Sequence, residues 1–112
     1  MQKGRTLDDL GRHDESLPWF DRGIAIFSEL GARWELADAR AARGIAKRNL
    51  GLLDEAEEDL RYAIRIAEEL GDRQLPGWTW RALAKVAELR GDQAAAEEHW
   101  RRSREAESRG PH

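Results

Sequence analysis

The sequence contains no cysteine, so disulfide bonds, thiolate zinc sites and cysteine nucleophiles are excluded. It has no apolar run approaching the ~20 residues that a membrane-spanning helix requires. No apolar segment follows the first residues as it does in a signal peptide. A cysteine-free chain is compatible with a reducing compartment, and we expect a cytoplasmic protein that has no contact with a membrane.

The chain also lacks an excess of charge of one sign. Its 19 basic and 22 acidic residues are interleaved and give a formal net charge of −3. Because no basic field is present to hold a phosphate backbone, we expect no direct binding of nucleic acid. Charged residues still make up 37% of the chain and apolar residues 40%, a mixture typical of short amphipathic helices with charged outer faces.

Motifs of catalysis are missing as well. The sequence has no phosphate-binding glycine-rich loop and no His-Glu-x-x-His metal signature. The three histidines lie far apart, and we expect His99 to be a partly exposed helix residue, with a metal or acid–base role as the alternative. No nucleophile–base pair is apparent. We therefore expect no enzymatic activity, no metal site and no cofactor.

Acidic residues do occur in adjacent runs. Neighbours on a helix point about 100° apart, so that they do not face one substrate together. We interpret the runs as solvated helix faces near helix N-termini. The runs are Asp8-Asp9, Glu57-Glu58-Asp59 and Glu97-Glu98.

What the chain does contain is an internal repeat of 40 residues. Ten of the 24 positions in residues 10–33 are identical in residues 50–73. Each period carries two glycines, such as Gly51 and Gly71, and glycine tolerates the left-handed conformation that ends many helices. One period therefore reads as helix, turn, helix, turn.

This pattern predicts a short truncated helix followed by five full ones. The predicted ranges are 3–10, 14–30, 34–50, 54–70, 75–90 and 93–108. Asp14 and Asp92 are expected to be N-caps, and Asp54 with Glu57 is expected to form a capping box. Pro76 falls in a first helical turn, where its missing N–H does little harm.

Residues of both periods resemble the tetratricopeptide repeat, in which small residues let paired helices approach and large ones fill the space between repeats. The matching residues are Gly44, Gly51, Ala56, Leu60 and Ala63, and then Trp80, Leu83, Ala84, Ala87, Gly91, Ala96 and Trp100. Gly4, Gly11, Ser16, Phe20 and Gly23 form a remnant of the same pattern. Arg40 and Arg43 depart from it, because they stand where a large apolar residue and Leu are typical. The longer period resembles the repeats of bacterial transcriptional regulators and animal cell-polarity adaptors.

The resemblance implies an all-α fold, an α-solenoid of antiparallel helix pairs with about two and a half repeats. Residues 1–112 would form a single domain, with a partial repeat over 1–31 and repeats over 32–71 and 72–110. It also implies that Trp80 and Trp100 pack in the core. Trp78 would line the inner surface.

In this family the first helix of each pair lines a concave groove that binds a protein or peptide segment. The implied groove positions are Asp38, Ala41, Ile45, Arg48, Asn49, Trp78, Arg81, Lys85, Glu88 and Leu89. Arg48, Arg81 and Lys85 would share the concave face and hold an acidic partner. The chain departs from the family's clamp for chaperone tails, because Ala84 stands where that clamp has Asn.

Two other functions stay open. The first is self-association, because a terminal repeat exposes the face that its missing neighbour would cover. We expect a homodimer that buries the N-terminal end. Its predicted face is Leu7, Leu10, Phe20, Ile24 and Phe27. The second is a sensory or regulatory segment of a larger bacterial transcriptional regulator.

Overall fold

A computed structural model describes residues 3–5, 10–72 and 74–108, and this part of the chain is all-α. Its helices are α1 (His13–Leu30), α2 (Arg33–Asn49), α3 (Leu53–Leu70), α4 (Leu75–Arg90) and α5 (Gln93–Ser108). Residues 3–5 are also helical, inside the predicted range 3–10. Leu7 and the Asp8-Asp9 run lie outside the described residues.

The five full helices agree with the predicted ranges to within one residue, but two of the predicted N-caps are wrong. Asp54 forms no capping box, because α3 already begins at Leu53 and its cap has no side-chain hydrogen bond. Asp14 likewise lies inside the first turn of α1. Asp92 is confirmed as a cap: its Oδ1 accepts the N–H of Ala95 at 3.1 Å.

Glycine ends α1 and α3 as the repeat predicts. Gly31 and Gly71 have φ of 66° and 73°, in the left-handed region that only glycine enters without strain. The N–H of Gly71 donates to the carbonyl of Glu68 at 3.1 Å, which satisfies one of the last carbonyls of α3. Pro76 occupies the first turn of α4, as predicted.

Each helix packs against the next one in the chain, and α2 also contacts α4. Small residues allow the close approach. A Cβ at Gly44 of α2 would lie 3.0 Å from Leu60 Cγ and 3.1 Å from the carbonyl oxygen of Ala56 on α3. The main core joins α2, α3 and α4 around Leu60 and Leu83.

The tryptophans differ in their burial. Trp78 and Trp80 are partly buried and pack against the main core. Trp100 is half-buried, and among the described residues it belongs to neither of the two core clusters. The structure also corrects one interpretation of the N-terminal end, because Phe20 is fully buried in a second cluster with Ala42 and Ala46. Within the described residues, no helix combines the length and apolar character needed to cross a bilayer.

Candidate functional site

A cluster of four charged side chains, Asp59 with Arg40, Arg43 and Lys47, lies within the described helices. This carboxylate on α3 is only 1% exposed, so the interpretation of its acidic run as a solvated face is wrong for this residue. Arg40, Arg43 and Lys47 of α2 surround it, since their spacing places them on one helix face. Arg43 donates to both carboxylate oxygens at 2.8 Å, and Arg40 Nε donates to Oδ1 at 3.0 Å. Lys47 Nζ lies 3.5 Å from Oδ2.

Arg43 extends this buried ion cluster to a third helix. Its Nη1 donates to Asp21 of α1 at 2.8 Å, so one guanidinium joins α1, α2 and α3. Burial by itself would raise the pKa of Asp59, but the hydrogen bonds and charges of Arg43, Arg40 and Lys47 outweigh it and lower the pKa. Asp59 is therefore ionised at neutral pH and neutralises part of the positive charge on α2.

This cluster was not predicted from the sequence, although a signal was present. Asp59 follows Ala56 by three residues and precedes Ala63 by four, which places it on the apolar face of α3. A carboxylate at such a position needs cationic partners. Arg40 and Arg43 were the two departures from the repeat pattern, and they are those partners.

One period further along the chain, Trp80 and His99 form a stacked pair. Their ring centroids are 5.4 Å apart and the planes are inclined by 30°. His99 is 8% exposed, so the prediction of a partly exposed residue is wrong. Burial, with the positive charge of Arg61 as a second cause, lowers the pKa of His99. Its Nδ1 has no hydrogen-bond partner within the described part of the chain.

The ion cluster and the stacked pair occupy equivalent positions of the 40-residue repeat. The equivalent residues are Arg40 and Trp80, Arg43 and Leu83, Lys47 and Ala87, Asp59 and His99, and Tyr62 and Arg102. We call each of these two places between helices a junction. In each junction a guanidinium also lies beside an aromatic ring. Arg40 lies 3.9 Å from the ring centroid of Tyr62, whereas Arg102 lies 5.7 Å from that of Trp80. The same place between helices is thus filled once by charge and once by aromatic stacking.

The predicted groove positions on α2 are partly committed to contacts within the chain. Asp38 is bonded to Arg5, and Ala41 is fully buried. Ile45 is partly buried against the main core. Arg48 donates to the side chain of Asn49 at 3.0 Å.

On α4 the predicted groove positions are more exposed. Trp78 shields the core, while Lys85, Glu88 and Leu89 are exposed. Arg81 is bonded to Glu107 of α5, so its charge is already matched. That Arg48, Arg81 and Lys85 share one concave face stays a prediction.

The predicted oligomer face is only partly available. Phe20 is buried by its own chain, which contradicts its assignment to an exposed surface, and Ile24 and Phe27 are half-buried. Leu10 is exposed, and Leu7 lies outside the described residues. The more exposed apolar residues of α1 are Ile26 at 53% and Leu30 at 73%, and neither was predicted as part of this face.

An open cavity of about 660 Å³ lies between α3, α4 and α5. Pro76 and Trp80 of α4 line it together with the final turns of the two flanking helices. Within the described residues, the lining of this cavity included, His, Asp and Glu side chains nowhere gather in the groups of three that a metal ion requires. No protein-family model, curated protein or solved structure matches the chain. Any functional assignment therefore depends on these residues and their arrangement.

Proposed function

We propose that the chain is a tetratricopeptide-like helical-repeat module that binds a segment of a partner protein and catalyses no reaction. The observation that supports this most directly is the contact of α2 with α4, which are separated in the chain by α3. In an α-solenoid the first helices of successive pairs contact each other in this way and form a continuous surface. We name this surface, formed by α2 and α4, the inner face.

The inner face has the composition of a binding surface. Ile45 and Trp78 are partly exposed apolar side chains, and partly exposed aromatic residues commonly anchor partners. Lys85 and Glu88 are exposed on α4 and supply charge around them. A segment that places one apolar side chain between charged groups matches this arrangement.

The preference for an acidic partner depends on fewer residues than the sequence indicated. Arg81 is bonded to Glu107, and reversing its charge would set two carboxylates against each other. Lys85 supports an acidic preference, whereas Arg48 is engaged with Asn49. Lys85 is the better position for a test, because it is exposed and its substitution leaves the core intact.

The test is isothermal titration calorimetry, in which a capped hexapeptide of alternating Glu and Leu is added to the full chain. Lys85→Glu is expected to weaken binding about three- to tenfold, since an exposed ion pair contributes up to ~1 kcal/mol and reversal adds repulsion. Arg104→Glu, an exposed charge reversal on α5, is the matched control. Equal effects of the two substitutions, or a peptide that does not bind, would refute the acidic inner face.

Self-association through α1 is a second candidate. Ile26 and Leu30 lie one turn apart on the same helix face and are well exposed, which is unusual for two neighbouring large apolar side chains. A twofold contact would bring this patch together from both copies. Sedimentation at micromolar concentration should then show a dimer that Ile26→Lys dissociates, whereas a parent chain that is monomeric throughout would exclude it. A role in a larger bacterial regulator stays a prediction from the resemblance alone.

A further inference from the structure

The cavity between α3, α4 and α5 lies on a different side of α4 from the inner face. Trp80 lines the cavity, whereas Trp78 belongs to the inner face. Residues that are two apart in a helix, as these are, point about 200° away from each other around the helix axis. Pro76 adds a second apolar surface beside Trp80. The cavity is therefore a separate place where a side chain could be held against an indole ring.

The polar lining of this cavity is predominantly negative. Glu68 and Asp72 come from the end of α3 and the turn that follows it, and Glu105 comes from α5, whereas Arg102 is the one cation among the described residues that line the cavity. Arg102 is itself bonded to Glu98 at 3.0 Å. Neither α3 nor α5 has a basic residue in its last turn, although both helices direct the negative ends of their dipoles to this region.

Among the carboxylates that line the cavity, Glu68 has the negative charge that its surroundings compensate least. It lies in the last turn of α3, where a negative side chain opposes the helix dipole, and it has no ion-pair partner within residues 3–5, 10–72 and 74–108. Glu105 is bonded to Arg101 at 2.8 Å. Asp72 accepts the N–H groups of Gln74 and Leu75, so it offsets the positive end of α4. The net field inside the cavity therefore favours a positive charge.

The preceding repeat holds a guanidinium at the equivalent place. There Arg40 lies over the Tyr62 ring at 3.9 Å, in full contact. In the cavity the ring and the cation have exchanged positions, and Arg102 is 5.7 Å from the Trp80 centroid, close to the ~6 Å limit of a cation–π interaction. Arg102, which lines the cavity, therefore covers the Trp80 ring only loosely, while His99 and the main core contact the ring elsewhere.

We propose that this cavity binds a lysine or arginine side chain of a partner protein. The cationic head would lie between the Trp80 ring and the carboxylates of Glu68 and Glu105, and its aliphatic stem would lie along Pro76. Among the described lining residues, an acidic side chain would meet these two carboxylates and one guanidinium, which is already paired. This surface is additional to the inner face and selects the opposite charge.

The experiment uses the full chain and the capped tripeptide acetyl-Gly-Arg-Gly-amide, with its Lys and Glu counterparts. The indole N–H signal of Trp80, identified by its loss in Trp80→Phe, is followed by NMR. The basic peptides are expected to shift this signal with dissociation constants of about 1–10 mM, the range for one weakly held side chain. Glu68→Gln is expected to weaken binding about two- to fivefold, as for loss of one exposed ion pair. Glu58→Gln, at an exposed position of the same helix, should leave binding unchanged.

Substitution of Arg102 distinguishes a site for basic side chains from a site for acidic ones. Arg102→Gln removes a competing cation and should tighten binding of the basic peptides. If Arg102→Gln instead weakens binding, or the Glu peptide binds best, the cavity is an anion site and the proposal is overturned. The absence of a Trp80 shift at 50 mM basic peptide, about five times the weakest expected constant, also overturns it.

Two further substitutions complete the design. Arg73 follows Asp72 in the chain and lies outside the described residues, so the series is repeated with Arg73→Gln, which should preserve the order of affinities. A reversed order in that background counts against the proposal. Lys85→Glu should not change the Trp80 response, which keeps failure at the inner face distinguishable from failure here.

Discussion

Replacing Asp59 by Asn tests whether the buried ion cluster stabilises the fold. The substitution keeps the shape of the side chain but removes the charge that Arg40, Arg43 and Lys47 share. Three cations would then face one another across a side chain that is 1% exposed in the parent. Breaking a buried ion pair from one side typically costs about 3–5 kcal/mol, because the remaining charge is left uncompensated.

The lower end of that range applies here. Arg43 keeps its bond to Asp21, and Lys47 keeps Glu55 at 3.3 Å, so part of the positive charge stays matched. A loss of about 3 kcal/mol corresponds to a fall in Tm of about 13 °C for a chain of this length, at the usual entropy of unfolding per residue. Glu58→Gln is the matched control, since its side chain is exposed and lies 4.0 Å from Arg40, and its Tm should change by less than about 2 °C.

The assay is thermal unfolding followed by circular dichroism, repeated between pH 2.5 and pH 7. Because the pKa of folded Asp59 is lowered, its contribution is complete above the unfolded value of ~3.9 and is lost as the pH falls through the folded pKa. Asp59→Asn should therefore lack that part of the acid-induced loss of stability. If the variant melts within 2 °C of the parent at pH 7 and loses stability at low pH as the parent does, the ion cluster does not stabilise the fold.

Three other expectations follow from packing and burial. The pKa of buried His99 is lowered, so as the pH falls its imidazole is protonated in the unfolded chain before it is protonated in the folded one. The free energy of unfolding should therefore decrease as the pH drops below ~6.5, the ordinary pKa of histidine. Urea unfolding at several pH values should show a smaller decrease for His99→Phe. Gly44→Ala should cost about 1–3 kcal/mol because its Cβ would meet packed atoms of α3, including the carbonyl oxygen of Ala56 at 3.1 Å. Gly77→Ala should cost less, because its Cβ would meet the side chain of Glu107 at 3.1 Å but backbone only at 3.9 Å; a loss at Gly44 no larger than at Gly77 would contradict the close packing of α2 on α3. Trp80→Ala should lower the unfolding free energy by about 3 kcal/mol and Trp100→Ala by less, since only the former packs against the main core; the reverse order in chemical denaturation would contradict the assigned core.

The helices were predictable because glycine and apolar spacing are local signals. Gly31 and Gly71 end helices through their own backbone conformation, which does not depend on distant residues. The exact starts were less predictable. α3 begins at Leu53, one residue before Asp54, and its cap makes no side-chain hydrogen bond, so the capping-box pattern did not locate its start.

The candidate surfaces were less predictable because they depend on which side chains meet across helices. The repeat pattern indicated Arg81 as a groove cation, but its partner Glu107 is 26 residues away in the chain. Phe20 was predicted on an exposed face, but packing with Ala42 and Ala46 buries it. Pairings at such separations require the three-dimensional structure, and apolar periodicity does not specify them.

The different chemistry of the two equivalent junctions also restricts which helices can pair. Repeats with near-identical contact surfaces can exchange partners during folding, within one chain or between two copies. Here, if α3 took the place of α5 against α4, Asp59 would lie beside Trp80 and Leu83, where neither side chain is a cation. Likewise, α5 placed on α2 would set His99 among Arg40 and Arg43. Because an unpaired buried charge costs several kcal/mol, each such exchange is unfavourable, and the order of the repeats is encoded in the side chains as well as in the connecting turns.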